Sequence, residues 1–191
     1  MLFPTIEAIF GKVYSILPDD ISIGDQIEIP LGDLGTFTAT VQMVKDDKVL
    51  FLFDDYIVKR PMNENGSNEG GYEKSDLKRW LENDLFKMFP KALRKHMTGL
   101  TIPTLGEICG WGDNWDKEHI EPDSYEQLPL MKQRRNRVAY YNNECSSGWL
   151  RNAMKKEFSS ANFACVDNRG DTGCNYASNS LGVRPEFWLV R

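Results

Sequence analysis

Three adjacent carboxylate pairs, Asp19/Asp20, Asp46/Asp47 and Asp54/Asp55, carry the chemistry for proton transfer. Two carboxyl groups work as acid and base only when their surroundings push their pKa values apart, and neighbours in a solvated turn titrate alike. Asp54/Asp55 follows an apolar run, at a strand end where active sites can lie, and is the best placed of the three. Four cysteines, Cys109, Cys145, Cys165 and Cys174, and two histidines, His96 and His119, are the other reactive groups. No cysteines stand in CxxC spacing, so a structural zinc site is not expected. A cysteine nucleophile needs a base held against it, and spacing ties neither histidine to a thiol. Cys165 falls at an inward strand position and reads as a core thiol. The chain has no GxSxG, no P-loop and no GxGxxG after a strand. Catalytic residues, a metal and a cofactor are therefore not expected.

The other chemistry is recognition. From Asn162 to Ser180 the chain is dominated by Asn, Asp, Ser, Gly, Tyr and Arg. Binding loops use this palette, because Tyr gives contact area at low entropic cost and Ser, Gly and Asn give adaptable hydrogen bonds. The same residues favour ordinary surface turns, and composition alone leaves both readings open.

Regular elements must position these groups. Apolar spacing over Pro4–Leu17 predicts a short helix with Ile6, Ile9, Phe10 and Val13 on one face. Strands are expected at Gln26–Ile29, at Thr36–Val44 with Phe37, Ala39, Val41 and Met43 on one face, and at the more buried Lys48–Phe53. Asp46 and Asp47 suit the hairpin turn between the last two. Pro61–Gly71 reads as a loop. Ser75 is the N-cap of a helix whose Leu77, Trp80, Leu81, Leu85, Met88 and Phe89 face the core. Asn83 and Asp84 mark a point where that helix divides, and Pro90 begins a further turn through Met97. Thr98–Tyr141 has poor periodicity and reads as a long irregular excursion. Such segments are uncommon in compact domains and often functional, which makes the region of Trp111, Trp115 and Tyr125 a second candidate surface. Trp149–Arg151 and Asn162–Val166 are strands and Asp167–Gly170 a turn. Val183–Val190 is a closing strand with Pro185 at an edge or bulge.

The 191 residues suffice for one domain with a sizeable core, and 41% hydrophobic with 27% charged residues is ordinary for a globular chain. A net charge of -5 argues against nucleic acid as a partner, since a basic footprint would be needed. The basic run Lys132–Arg137 follows the acidic stretch Asp113–Glu126 and reads as a pair of solvated loops. No run approaches the roughly 18 apolar residues of a membrane span. The first residues lack a basic start and a small-residue cleavage site, so no signal peptide is read; a chain cytoplasmic when made, then displayed on a particle or cell surface, fits.

A series of segments occurs in order: GDQIEI from Gly24, FDDYIVKRPMNE, YEKSDLKRWLENDLFKMF, LTIPTLGEICGW, GWLRNA, FACVDNRG and SLGVRPEFWL. It resembles a bacterial and phage domain of unknown function, marked by an S-x-L-R-x-W-L-N helix, a W-L-R strand and an ending close to G-V-R-P-A-F-W-L. The departures are Lys78, Glu82 and, in place of the usual Ala, Glu186. The ending also resembles the C-type-lectin-like fold, and within it the variable proteins diversified by retroelements in phages and bacteria.

That resemblance implies an α+β, C-type-lectin-like single domain over 22–191 behind an N-terminal extension, 1–21. Trp149, Leu150 and Arg151 match one framing strand and Gly182, Val183, Arg184 and Pro185 the other. The positions between them that would meet a ligand are Asn152, Lys155, Asn162, Asn168, Arg169, Asp171, Asn175, Tyr176, Asn179 and Ser180. The implied function is non-catalytic binding of a cell-surface protein or glycan by a phage-encoded receptor-binding or displayed protein, with homo-oligomers or particle assembly possible. The same fold hosts formylglycine-generating enzymes, for which Cys165 and Cys174 keep an enzymatic alternative open. A structural particle component is the third reading.

Overall fold

Alternating residues build the first sheet. In the computed structural model, which describes residues 17, 18 and 20–190, β1 (Gln26–Pro30), β2 (Thr36–Val44) and β3 (Lys48–Phe53) form where alternation expects them. Asp46 and Asp47 lie in the turn between β2 and β3. The expected helix over Pro4–Leu17 lies, except for Leu17, outside the described residues.

Strand β3 is apolar throughout because both its faces are covered. Val49, Phe51 and Phe53 enter one buried cluster, and Leu50 and Leu52 enter a second on the opposite side. The C-terminal strand β12 (Glu186–Val190) pairs antiparallel with β3, Phe187 opposite Phe51, and β5 (Met97–Thr101) flanks it. The sheet order is β1-β2-β3-β12-β5. Phe51 and Phe187 stack at 5.6 Å, and Phe89 meets Phe187 edge-on at 5.4 Å.

Phe89 arrives from the helical segment. Ser75 Oγ accepts the Lys78 N–H at 3.0 Å, a satisfied N-cap. Helix α1 (Asp76–Trp80) passes through a π-turn at Leu81–Leu85 into α2 (Phe86–Met88). The expected division at Asn83 and Asp84 is thus a widened turn, in which Asn83 Nδ2 donates back to Arg79 O at 2.8 Å. Leu77, Leu81, Leu85 and Phe89 are buried, while Trp80 and Met88 are partly buried against the same core. A short α3 (Lys91–Arg94) precedes β5.

The second sheet has order β10-β9-β8-β11-β4, from β4 (Val58–Arg60), β8 (Gly148–Ala153), β9 (Asn162–Val166), β10 (Thr172–Tyr176) and β11 (Leu181–Val183). One strand is new here and one expectation changes. The polar run Asp171–Ser180 contains a strand, β10. Val183–Val190 is two strands in different sheets: Arg184 and Pro185 carry the chain across, because proline has no N–H to continue the ladder. Gly148 and Gly182 face each other across β8 and β11 under the Tyr56 ring. A Cβ would sit 2.1 Å from Tyr56 at Gly148 and 2.3 Å at Gly182, so both positions require glycine.

The irregular excursion is packed rather than loose. It holds α4 (Leu105–Ile108), α5 (Asn114–His119), 3-10 turns at Pro129–Lys132 and Arg134–Arg137, and a hairpin of β6 (Ala139–Tyr141) and β7 (Glu144–Ser146). Leu105, Ile108, Ile120, Leu128 and Met131 bury against Leu50, Leu52, Leu150 and Ala164. The whole is one mixed α+β domain, with no described helix long and apolar enough to cross a membrane.

Candidate functional site

Three elements bring charged groups together in a cleft of about 340 Å3 between the sheets and the excursion. Strand β8 supplies Arg151, α4 supplies Glu107 and β12 supplies Glu186. Arg151 Nη2 donates to Glu107 Oε2 at 2.8 Å and to Glu186 Oε1 at 3.2 Å. Glu107 is fixed by a capping box: it accepts the Thr104 N–H at 2.8 Å, and Thr104 Oγ1 accepts the Glu107 N–H at 3.1 Å. Arg151 is held by its strand, whose preceding residue pairs Trp149 and Leu150 pack into the two separate cores. The guanidinium stands over the Tyr125 ring at 4.9 Å.

Two buried polar atoms of these residues stand out: Arg151 Nε has no hydrogen-bond partner, and Glu186 Oε2 has none apart from the neighbouring Glu107 carboxyl. Glu186 is 3% exposed. Burial, then the neighbouring Glu107, push Glu186 well above the usual carboxylate range. Burial opposes the Arg151 charge, but Glu186 and Glu107 outweigh it and hold the guanidinium charged. One cation therefore faces two carboxyl groups, one of which, Glu186, is pushed toward its neutral form. Trp188, Tyr72 and Thr101 complete the wall; Thr101 Oγ1 donates to Tyr72 OH at 3.0 Å.

The ten positions expected to meet a ligand fall into separate places. Asn152 is inside the protein, 6% exposed. Its Oδ1 accepts the Leu105 N–H at 2.7 Å, and its Nδ2 donates to Glu121 O and Asp123 Oδ2, both at 2.9 Å. Three of the four hydrogen-bonding positions of its side chain are spent on joining β8 to the excursion. Lys155 donates to Lys117 O at 2.7 Å. Asn168, Arg169 and Asp171 lie at the β9–β10 turn, where Arg134 makes an ion pair with Asp171 and donates to Arg169 O. Asn162, Asn175, Tyr176, Asn179 and Ser180 lie at the other end of edge strand β10, roughly 14 Å away at the usual rise per residue. Asn175 Oδ1 accepts from Tyr176 N and Asn179 Nδ2. Tyr176 is 61% exposed.

Arg151 was legible as part of the W-L-R strand, and Glu186 as the departure from Ala, but sequence reasoning assigned neither to a site. Glu107 and Tyr125 belong to the excursion singled out as a second candidate surface. Of the thiols, burial pushes Cys165 up to about 12 and raises Cys109 as well, the opposite of an activated nucleophile. Among the described residues no group of three or more His, Cys, Asp or Glu could hold a metal ion.

No curated protein and no solved structure matches the chain. One family model does, over a span that includes the α1–α2 helix and Glu107 but neither Arg151 nor Glu186. From the turn before β3 to just past α5, residues 46–121 match the model of DUF6273, a domain of unknown function.

Proposed function

We propose that this protein is a non-catalytic, C-type-lectin-like recognition domain that binds an uncharged glycan at a cell surface through the Arg151 cleft. The observation that carries the reading is the aromatic-walled cleft around Arg151, where Arg151 Nε has no hydrogen-bond partner and Glu186 Oε2 has none apart from the Glu107 carboxyl. Buried polar atoms are normally bonded, and a ligand with adjacent donors and acceptors answers both at once. A sugar's vicinal hydroxyls have that character, and its C–H face packs on rings such as Tyr125 and Trp188. Lys45, Lys78 and Arg151 face Glu73, Glu82, Glu107 and Glu186 around the cleft. Glu186 is pushed toward its neutral form, and the other charges, three of each sign, suit a ligand without net charge. The cleft lies within the size range of small-ligand sites.

The C-type-lectin-like part rests on the C-terminal strand lying inside the sheet of the first strands, with an irregular segment laid against it. A phage-encoded receptor-binding or displayed protein is consistent with this surface role. A second reading, recognition of a protein partner, rests on edge strand β10, whose exposed end carries Tyr176. A glycan array probed with the wild type, Tyr125→Ala and Tyr176→Ala separates the two. Tyr125→Ala should lose the wild-type signal and Tyr176→Ala should keep it. Absence of any glycan signal for the wild type, or loss only in Tyr176→Ala, contradicts the proposal.

A further inference from the structure

Another guanidinium, this one buried, lacks a carboxylate of its own. Arg184, from the GVRP segment, is 8% exposed. Its Nε donates to Phe53 O at 2.6 Å and its Nη1 to Asn136 O at 3.3 Å, both neutral carbonyls. Among the described residues it makes no ion pair, and burial pulls its pKa down despite the fields of Tyr56, Asp54 and Asp55. Buried charges in proteins are normally paired.

Asp54 is unpaired in the complementary sense. Its carboxylate accepts Thr40 Oγ1 at 2.5 Å and Gln26 Nε2 at 2.9 Å, but no described cation forms an ion pair with it. Burial raises its pKa, against the Thr40 bond and the field of Arg184. Gln42, 1% exposed, donates Nε2 to Thr40 O at 3.2 Å and leaves Oε1 without a partner. Arg184, Asp54 and Gln42 line one cleft of about 440 Å3, on the β1–β2 edge under the turns that follow Leu128. Leu130, Met131 and Val138 form its apolar wall, and the exposed Arg135 stands at its rim.

We propose that this cleft binds a free α-amino acid with an apolar side chain. The carboxylate meets Arg184 and Arg135, the ammonium meets Asp54 and Gln42 Oε1, and the side chain lies on Leu130, Met131 and Val138. An anion alone would set a second negative charge beside Asp54 and leave the Gln42 acceptor empty. A cation alone would leave Arg184 unpaired and repelled. A small zwitterion satisfies both poles. The proposal is independent of the Arg151 cleft.

Isothermal titration of the full chain at neutral pH with L-leucine, L-methionine and L-phenylalanine tests it, beside N-acetyl-leucine and leucinamide. At least one free amino acid should bind, and each blocked analogue should bind about tenfold more weakly or not at all. Arg135→Gln, at an exposed position that leaves the fold intact, and Asp54→Asn should each weaken binding about tenfold or more. If Asp54→Asn fails to fold, Arg135→Gln and the blocked analogues decide. No binding of any free amino acid, equal binding of the blocked forms, or wild-type affinity in Arg135→Gln would overturn the proposal.

Discussion

The two motif arginines of this chain, the half-buried Arg151 and the buried Arg184, are accommodated in opposite ways. Arg151 reaches two carboxyl groups, Glu107 and Glu186, and the excess acid is absorbed by a raised Glu186. Arg184 reaches two main-chain carbonyls, Phe53 O and Asn136 O, and keeps its charge without an ion pair. Carbonyl dipoles fix where a guanidinium sits, whereas carboxylates also balance its charge. Arg151 is therefore tied to its partners by charge, and Arg184 to the fold by geometry. The difference also motivates the two proposals: an uncharged ligand where the cation is already paired, and a zwitterion where a cation and a carboxylate share a cleft without pairing.

The largest expected effect breaks the balanced side. Arg151→Ala leaves Glu107 and Glu186 buried against each other and should cost about 3 to 5 kcal/mol, read from urea unfolding. Arg184→Met leaves two neutral carbonyls unpaired and takes away the field on Asp54, with no ion pair broken, and should cost less, about 1 to 3 kcal/mol by the same assay. If Arg184→Met is the more damaging, the contrast between charge pairing and geometric anchoring fails.

A pH series sharpens the comparison. The native state holds the Glu186 proton to higher pH than the unfolded chain does, so this group's contribution is fully present below the ordinary value of 4.5. It is lost as pH rises from there toward the raised native pKa, by at most about 1.4 kcal/mol per pH unit. Glu186→Gln should flatten that part of the stability profile, and an unchanged slope would mean that Glu186 is ionised in the native state. Removing the aromatic lid is smaller still. Tyr125→Leu deletes the contact with Arg151 and should lower stability by about 0.5 to 1 kcal/mol. Tyr176→Ala, at the far end of β10, should move the thermal midpoint least, by less than about 0.5 kcal/mol in free energy.

Local pattern was enough for β1, β2 and β3, where apolar residues alternate, and for the helix after Ser75, where the cap and the leucine spacing agree. It was not enough for β5, since Met97–Thr101 has one glycine, two threonines and no alternation, and exists because β12 offers it a ladder. Nor did SLGVRPEFWLV betray its change of sheet, because the residues on both sides of Pro185 are equally strand-like and only long-range pairing separates them. The cleft was hidden for the same reason. Glu107 and Glu186 lie 44 and 35 residues from Arg151 in the chain, and no spacing rule links them. Among the positions that the resemblance placed between the framing strands, Asn152 is a buried clamp, since an asparagine that suits a binding surface suits a buried hydrogen-bond network equally well. The glycine requirement at Gly148 and Gly182 depends on Tyr56, which is distant in sequence from both.

The central claim is that recognition occurs at the Arg151 cleft and not at the polar ends of β10. Side-chain NMR during titration with an oligosaccharide tests it most directly, following the Arg151 Nε–H and Trp188 indole N–H signals alongside the backbone amides of Asn168 and Tyr176. The account predicts that the Arg151 and Trp188 signals move with saturation while the Asn168 and Tyr176 amides stay fixed. Saturable shifts at Asn168 or Tyr176 with Arg151 and Trp188 unmoved would contradict it.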